Sequence, residues 1–230
     1  MESIDILVFG AHADDAEIGM GGTIAKHVQE GYRVVVCDLT LSEMSSNGTV
    51  ELRQQEAAHA SSVLGLYART NLGLPDRGLE SNRSTIEKIV EEIRRWRPRI
   101  VFAPYWVDRH PDHVMTSKLI EEAVFNAKLR NYLPQLPIVK VEQLIYYYIN
   151  DVDAVSLTVD ISEVYATKQA ALKAYQSQFD PTATKDSVET PLTNGYLARV
   201  EARDFLLGNS SGYAYAEGFA IKRPFNVSLF

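Results

Sequence analysis

The sequence predicts an α/β fold in which a mainly parallel β-sheet is covered by helices on both faces. Two apolar runs, at residues 4–10 and 99–104, have the length and composition of buried parallel strands. Each run leads directly into a helical pattern of apolar residues. Strand and helix patterns then alternate along residues 1–130 with short connections, which is typical of right-handed β-α-β winding.

The individual elements follow from apolar periodicity and from the residues that begin or end helices. Gly31 and Gly65 are placed to end the first two helices, while Ser84 is expected to cap the third and Pro98 to end it. The predicted strands lie at residues 4–10, 33–40, 69–72, 99–104, 143–150, 154–160 and 213–221, and the predicted helices at 16–30, 50–64, 84–97, 113–128, 162–175 and 195–207. The long polar segment 179–194 is typical of a lid or binding loop, or else of a disordered segment.

Length and composition predict one domain. The chain has 230 residues, of which 46% are hydrophobic, so it can bury a full core. Residues 1–130 are expected to form a Rossmann-like core, and residues 131–230 to complete the sheet and a substrate pocket. The strands at 4–10 and 99–104 would be neighbours at the point where the strand order reverses.

Charge and hydropathy exclude several classes of function. The net charge of −7 argues against nonspecific binding to nucleic acid. The sequence has no basic run, no stretch approaching about 20 apolar residues and no signal-peptide pattern, so no membrane association is expected. The lone Cys37 excludes an internal disulfide and is expected to be a buried core thiol. These features predict a cytoplasmic location.

A cluster of potential metal ligands follows the first predicted strand. His12, Asp14, Asp15 and Glu17 lie on the turn that leads into the first helix, where α/β sheets build their sites. Two adjacent aspartates cannot both be buried as anions without a cation or a proton. The alternative is that one aspartate only caps the helix and His12 is a surface residue. Glu17 could support the site or be a solvated residue of the first helical turn.

A second cluster follows the strand at 99–104. His110, Asp112 and His113 lie at the start of the next helix, and Pro111 suits the first turn of a helix. The spacing of His110 and His113 places both near one face of that turn. Catalytic zinc sites use three protein ligands, and two turns on neighbouring strands could supply them. From the residues alone, Asp14 and Asp15 remain interchangeable as the carboxylate ligand.

These two motifs resemble those of the LmbE-like, or PIG-L-like, zinc-dependent N-acetylglucosamine deacetylases. The family's first motif, (P/A)-H-P-D-D-x-E, corresponds to residues 11–17, and its second, H-P-D-H, to residues 110–113. Ala13 stands where the family usually has proline, which affects the stiffness of the turn but removes no ligand. Further stretches look like the bacillithiol-biosynthesis branch, whose members deacetylate N-acetylglucosaminyl-malate; they lie at residues 45–56, 71–76, 108–109, 201–203 and 216–219.

The resemblance implies a role for each residue of the two motifs. His12, Asp15 and His113 would bind one Zn²⁺ per chain, although such a ligand set also accepts Fe²⁺ or Co²⁺. Asp14 would be the general base that takes a proton from water and passes it to the departing amine.

The remaining motif residues would act on the tetrahedral oxyanion. His110 is expected to stabilise it as an imidazolium, and Asp112 to orient His110 or raise its pKa. The alternative for Asp112 is a first-turn acid that complements the helix dipole. The bacillithiol branch also suggests a homohexamer.

Three more residues are candidates for substrate binding. Arg53 and Arg109 could bind a substrate carboxylate through two parallel N–H groups, or pair with neighbouring acids and only stiffen the site. Tyr196 follows the long loop and could donate to the reacting carbonyl, although packing is an equal alternative. The resemblance implies a small N-acetyl sugar as the partner, most specifically N-acetylglucosaminyl-malate, with N-acetylglucosamine and chitooligosaccharides as alternatives.

Other classes of function are weighed against this hypothesis. The glycines of the first helix do not form the dinucleotide-binding pattern, and Asp14 and Asp15 would repel a pyrophosphate. A zinc hydrolase of another amide and a sugar-binding module without turnover remain as alternatives. The combination of a candidate base, Asp14, with His110 beside the ligands favours catalysis, because binding requires no base.

Overall fold

The computed structural model describes residues 3–183 and 185–224. Its strands are β1 (Ile6–Gly10), β2 (Val34–Thr40), β3 (Ala68–Leu74), β4 (Ile100–Pro104), β5 (Gln143–Tyr147), β6 (Leu157–Asp160) and β7 (Ala216–Ala220). Its α-helices are α1 (Asp15–Gln29), α2 (Val50–Leu64), α3 (Arg83–Trp96), α4 (Pro111–Ala127), α5 (Tyr165–Lys173), α6 (Gln176–Phe179) and α7 (Tyr196–Ser211), with a short 3-10 helix at Ser162–Val164. Residues 1, 2, 184 and 225–230 of the predicted domain lie outside the described part, and residue 184 belongs to the predicted long loop.

The strands form a seven-stranded sheet with the order β3-β2-β1-β4-β5-β7-β6. Strands β1 to β5 run parallel to one another, whereas β7 is antiparallel to both β5 and β6. The chain builds outward from β1 through β2 to β3 and then returns to place β4 on the other side of β1. The predicted mainly parallel sheet is confirmed, and β1 and β4 are neighbours at the switch point.

Helices cover both faces of the sheet because successive strand residues point to opposite sides. In β1, Ile6 and Val8 pack into a core with α1, α2, α5 and α7, whereas Leu7 and Phe9 pack into a core with α3 and α4. The predicted arrangement of helices on both faces is therefore confirmed. None of the helices in the described part of the chain combines the length and apolar character needed to cross a membrane.

Helix boundaries show where local signals decide the structure. Helix α2 has the predicted bounds because the Thr49 side chain accepts from the Leu52 N–H and Gly65 adopts φ 68° at the other end. The predicted cap of the third helix is wrong, since the Asn82 side chain accepts from the Thr85 N–H. Helix α4 begins at Pro111, two residues before the predicted start, because His110 occupies the cap position.

The C-terminal half differs more from the prediction. The predicted helix at 162–175 is divided into the 3-10 helix and α5, and α6 follows it at the start of the predicted loop. The last helix extends four residues past the predicted end, to Ser211, and the strands predicted at 143–150 and 213–221 are shorter. Apolar periodicity locates these elements but does not define where their hydrogen bonds begin and end.

Candidate metal centre

The two predicted clusters meet because β1 and β4 are adjacent. Their parallel pairing brings the turn after Gly10 beside the turn after Pro104. Ring nitrogens of His12, His110 and His113 lie within 4.8 Å of one another. His12 and His113 are buried, and His110 is half-buried. Residues 98 positions apart in the sequence therefore form one imidazole cluster at the carboxyl ends of the strands.

Asp15 ties the first turn together and joins the two buried histidines. Its Oδ2 accepts from the main-chain N–H groups of Ala11 (2.8 Å) and His12 (2.9 Å). Its Oδ1 lies 3.1 Å from Nε2 of His113, and Oδ2 lies 3.7 Å from Nδ1 of His12. The structure thus brings the predicted ligands His12, Asp15 and His113 together, and their coordination of a metal stays a prediction.

Further carboxylates lie behind the two buried histidines. Asp108 Oδ1 is 3.0 Å from Nδ1 of His113, while Asp76 Oδ1 and Asp112 Oδ2 are 3.1 Å and 3.6 Å from Nε2 of His12. A carboxylate on the far nitrogen of a ligating imidazole fixes its orientation and increases its basicity. Neither Asp76 nor Asp108 was predicted as a site residue. Asp108 lies only two positions before His110, a proximity that could have indicated it.

Asp112 touches His110 through its main chain, and its role in orienting His110 or raising the pKa of His110 stays a prediction. Its carboxylate accepts from the main chain and the side chain of Arg77 and faces His12. Only its main-chain N–H contacts His110, donating to Nδ1 at 3.3 Å. Burial and the neighbouring His113 and His12 lower the pKa of His110, so this environment does not favour the expected imidazolium.

The charge balance of the cluster requires positive charge between the carboxylates. Burial alone would lower the pKa of both buried histidines. Contacts with Asp112, Asp15 and Asp76 nevertheless raise the pKa of His12 well above its usual value. Asp15 and Asp108 likewise raise the pKa of His113 to about 9. Burial alone would raise the pKa of Asp15, but the contacts with His113 and His12 hold it well below its usual value.

A divalent cation fits this donor set. Imidazole nitrogens and carboxylate oxygens converge in a buried space, and both donor types suit Zn²⁺, Fe²⁺ and Co²⁺. A cation there would supply the positive charge that protons on His12 and His113 otherwise provide. The donor set is equally compatible with several ions and does not select one.

Asp14 differs from its neighbour Asp15 in its backbone conformation, its hydrogen bonding and its pKa. It has φ 128°, an unusual conformation for a non-glycine residue that is typical of functional sites. It is buried and its Oδ2 accepts no hydrogen bond among the described residues, although Arg53 Nη2 lies 3.2 Å away without hydrogen-bond alignment. Burial raises the pKa of Asp14 to about 7 against the opposing charge of Arg53. A carboxylate with such a pKa can exchange protons near neutral pH.

Glu17 supports the site from the first turn of α1. It is fully buried and accepts from Arg69 Nη1 (2.6 Å) and the Tyr175 hydroxyl (3.0 Å). Arg69 also binds both carboxylate oxygens of Asp38 at the end of β2. The alternative of a solvated Glu17 is wrong, and the residue links α1 to the sheet instead.

A cavity of about 540 Å³ opens above the histidine cluster and is lined by all three predicted substrate-binding residues. Arg53 is buried, and its Nε and Nη1 make no hydrogen bond in the described chain. Arg109 is exposed, and no ion pair or hydrogen bond of its side chain occurs with the described residues. Tyr196 is buried, and its hydroxyl lies 3.1 Å from Ile149 O and 3.2 Å from Asn150 Oδ1. Tyr196 is thus packed as well as pocket-lining, and its contact with substrate stays a prediction.

The predicted loop 179–194 forms part of the wall of this cavity through residues 190–192. The Asn47 side chain bonds both main-chain groups of Val188, donating to O at 2.9 Å and accepting from N at 2.8 Å. Gln178 Nε2 in turn donates to Asn47 O at 2.9 Å. These bonds tie Val188 of the loop and Gln178 of α6 to the segment before α2. Residues 190–192 line the cavity, whereas residues 181–183, 185 and 186 of the loop are exposed.

Comparisons with known proteins show the family of this chain. A family model described as PIG-L, GlcNAc-PI de-N-acetylase, matches residues 7–124. The diacetylchitobiose deacetylase of Thermococcus kodakarensis is 32% identical over 93% of this chain and 81% of its own length. The chain therefore belongs to the PIG-L family.

Solved structures have the same fold. The crystal structure of a conserved protein from Thermus thermophilus superposes with a TM-score of 0.89 at 39% identity, covering 97% of each chain. The N,N'-diacetylchitobiose deacetylase of Pyrococcus horikoshii superposes with a TM-score of 0.83 at 25% identity, covering 96% of this chain and 84% of its own.

Proposed function

We propose that this chain hydrolyses the N-acetyl group of an N-acetylglucosamine-containing substrate, with a divalent cation in the histidine cluster. The observation that carries the proposal is Asp14, a buried carboxylate without a hydrogen bond to Oδ2 from the described residues, beside three imidazoles and facing a cavity. A binding site for a neutral sugar has no need of a strained, buried carboxylate with a pKa near 7.

The residues of the site supply the parts that amide hydrolysis requires. A cation held by His12, Asp15 and His113 would supply Lewis-acid polarisation of the acetyl carbonyl. Asp14 removes a proton from water as the water oxygen bonds to the carbonyl carbon. The same proton then passes to the sugar nitrogen as the carbon–nitrogen bond breaks, leaving acetate and a free amine.

His110 can stabilise the oxyanion as a neutral imidazole. The main-chain N–H of Asp112 donates to Nδ1 at 3.3 Å, which makes Nδ1 the acceptor and leaves the proton on Nε2. An Nε2–H group beside the cluster can donate a hydrogen bond to the developing negative charge. This assignment replaces the expected imidazolium and needs no rise in pKa.

The finer proposal is that the substrate carries a carboxylate, as N-acetylglucosaminyl-malate of bacillithiol biosynthesis does. Two observations support it: among the described residues, Arg109 at the cavity has no ion-pair partner, and the nitrogens Nε and Nη1 of Arg53 donate to no acceptor. Two nearby acids have other partners, since Glu56 bonds Ser177 and Asp108 bonds Asn150, whereas Asp14 pairs with Nη2 of Arg53. Arginine is well suited to bind a carboxylate through two parallel bonds.

A second candidate is a neutral chitooligosaccharide, which the names of two relatives favour. Zn²⁺ is the proposed ion, with Fe²⁺ or Co²⁺ as alternatives, and a homohexamer and a cytoplasmic location stay predictions.

The test is an acetate-release assay across N-acetylglucosaminyl-malate, N-acetylglucosamine and diacetylchitobiose. Each assay is run on metal-free protein and after addition of one equivalent of Zn²⁺, Fe²⁺ or Co²⁺. We expect metal-dependent acetate release, fastest with the malate compound. Binding of these sugars without acetate release under any metal would overturn the enzymatic proposal, and equal rates on the malate compound and diacetylchitobiose would overturn the finer one.

A further inference from the structure

Helix α1 is divided into two segments at Met20, which has non-helical φ −152° and ψ 23°. Such a break frees main-chain groups on either side of it. On the far side, the N–H groups of Gly22 and Thr23 donate to the two carboxylate oxygens of Glu217 at 2.9 and 2.7 Å. On the near side, Ile18 O accepts from Arg203 Nη2 at 2.6 Å. Each segment thus has its own anchor from the C-terminal part of the chain.

The two anchors belong to one network of buried charges. Asp204 accepts from Arg203 Nε at 3.0 Å and from Lys168 Nζ at 2.5 Å, and Lys168 also donates to Glu217 at 2.7 Å. Lys168 and Asp204 are completely buried and Glu217 is 1% exposed. Buried ion pairs seldom stabilise a fold more than apolar packing would, because their desolvation is costly. The network is therefore better explained by the positions in which it holds the two segments of α1.

Arg203 contacts the main chain on both sides of the candidate metal centre. Its Nη2 contact with Ile18 lies one turn beyond Asp15. Its Nη1 donates to Tyr148 O and Ile149 O, both at 3.1 Å, in the segment after β5. The next residue, Asn150, donates to Asp108 Oδ1 at 2.8 Å, and Asp108 is the carboxylate beside His113.

We propose that Arg203 is a positioning residue of the metal centre: one guanidinium sets the distance between the turn that carries Asp15 and the segment that orients His113. The proposal rests on the metal centre of the proposed function but not on turnover. A planar guanidinium with five N–H groups in a fixed fork can bind three carbonyls and a carboxylate together, whereas a lysine ammonium cannot. Glu217 anchors only the second segment of α1, which carries no residue of the cluster.

The experiment measures metal affinity and not activity. Zn²⁺ affinity is determined on metal-free protein by competition with a chelator, and the visible absorption of the Co²⁺ form reports ligand geometry. Arg203→Lys should lower Zn²⁺ affinity at least about tenfold and change the Co²⁺ spectrum, as loss of outer contacts to metal ligands does elsewhere. Glu217→Gln should lower the Tm yet keep Zn²⁺ affinity within about threefold of the unmodified protein, a span of less than 1 kcal/mol.

Arg94→Lys is the control for general loosening. Arg94 is 1% exposed and donates to five main-chain carbonyls around the C-terminal end of α4. Ala127, the last residue of this helix, lies 14 residues beyond His113, which is about 21 Å at 1.5 Å per residue. This variant should lose Tm without losing Zn²⁺ affinity. Equal loss of affinity in Arg94→Lys and Arg203→Lys at similar Tm would overturn the proposal.

Two further outcomes are decisive. Unchanged Zn²⁺ affinity in folded Arg203→Lys would overturn the positioning role while leaving the metal centre intact. If Arg203→Lys does not fold, Asp204→Asn takes its place, because it keeps the guanidinium but weakens the partner that orients Nε; unchanged affinity there has the same meaning. If the unmodified protein binds none of the metals, the positioning role and the metal centre fail together.

Discussion

Asp108 and His113 form an ion pair in which the carboxylate lies against one ring nitrogen and the other ring nitrogen faces the cluster. Oδ1 of Asp108 lies 3.0 Å from Nδ1 of His113, and Nε2 of the same ring lies 3.1 Å from Asp15. Asp108 is itself held by the Asn150 side chain and by the main-chain N–H of His110. The Asp108 contact is an ion pair without hydrogen-bond alignment at Nδ1, and it favours the ring orientation in which Nε2 faces Asp15.

The first prediction follows from this pair. Asp108→Asn should reduce Zn²⁺ affinity by about 10- to 100-fold, because a ligating imidazole loses both orientation and basicity without its outer carboxylate. Competition with a chelator measures the change. Asp151→Asn, which alters an exposed aspartate near the same segment, serves as the control and should bind Zn²⁺ normally. Unchanged affinity in Asp108→Asn would show that His113 is oriented by other contacts.

The second prediction concerns the base. Asp14→Asn should keep the bound metal but reduce kcat at least about 100-fold, since an amide of almost the same size cannot accept a proton. Asparagine also tolerates positive φ better than most residues, so the turn at φ 128° should survive the substitution. Steady-state kinetics with metal analysis of the same preparation test this. Activity within about tenfold of the unmodified enzyme, roughly 1.4 kcal/mol in barrier height, would exclude Asp14 as the base.

The sequence predicted the parts of this site that depend on local pattern. The two apolar runs predicted as strands placed four residues on the turns that follow them: His12, Asp15, His110 and His113. Parallel pairing of β1 and β4 brings these turns together. Helix α2 was located to the residue because Thr49 and Gly65 both act within one turn of its ends.

Contacts between distant residues could not be predicted from pattern. Asp76 reaches His12 across 64 residues and Arg203 reaches Ile18 across 185, and no periodicity records such pairs. The break in α1 was also missed, and this helix approaches the sheet closely at Gly19. A Cβ on Gly19 would lie 2.2 Å from the ring of Tyr147, so that contact requires glycine.

The third prediction concerns stability at alkaline pH. Burial raises the pKa of Tyr146, Tyr147 and Tyr175 above the usual value, whereas tyrosines of an unfolded chain ionise near pH 10. Folding with neutral tyrosines is thus favoured fully below about pH 10, and this contribution is lost as pH rises toward the folded-state pKa. The free energy of unfolding should fall steeply above about pH 10, and ultraviolet difference absorbance should show these phenols ionising together with unfolding.

Tyr147→Phe separates this effect from other alkaline changes. The Tyr147 hydroxyl donates to Phe9 O at 2.7 Å, so the variant should lose about 1 kcal/mol near neutral pH. Above about pH 10 its stability should decline less steeply than that of the unmodified protein, because one ionisable phenol has been removed. Tyr213→Phe, at a 50% exposed position, should leave the decline unchanged. Identical slopes in all three proteins would contradict the tyrosine explanation.

The last prediction tests the choice of substrate through Arg109. Its guanidinium lies at the cavity one residue before His110, and the described residues offer it no ion pair or hydrogen bond. If it binds the malate carboxylate, Arg109→Lys should lower kcat/KM for N-acetylglucosaminyl-malate about tenfold, because lysine cannot reproduce the two parallel bonds. Plain N-acetylglucosamine lacks the carboxylate, so its kcat/KM should change by less than about twofold. An equal reduction for both substrates would mean that Arg109 acts on the shared sugar or on the site itself. The malate hypothesis would then depend on Arg53, whose ion pair with Asp14 makes it unsuitable for a selective test.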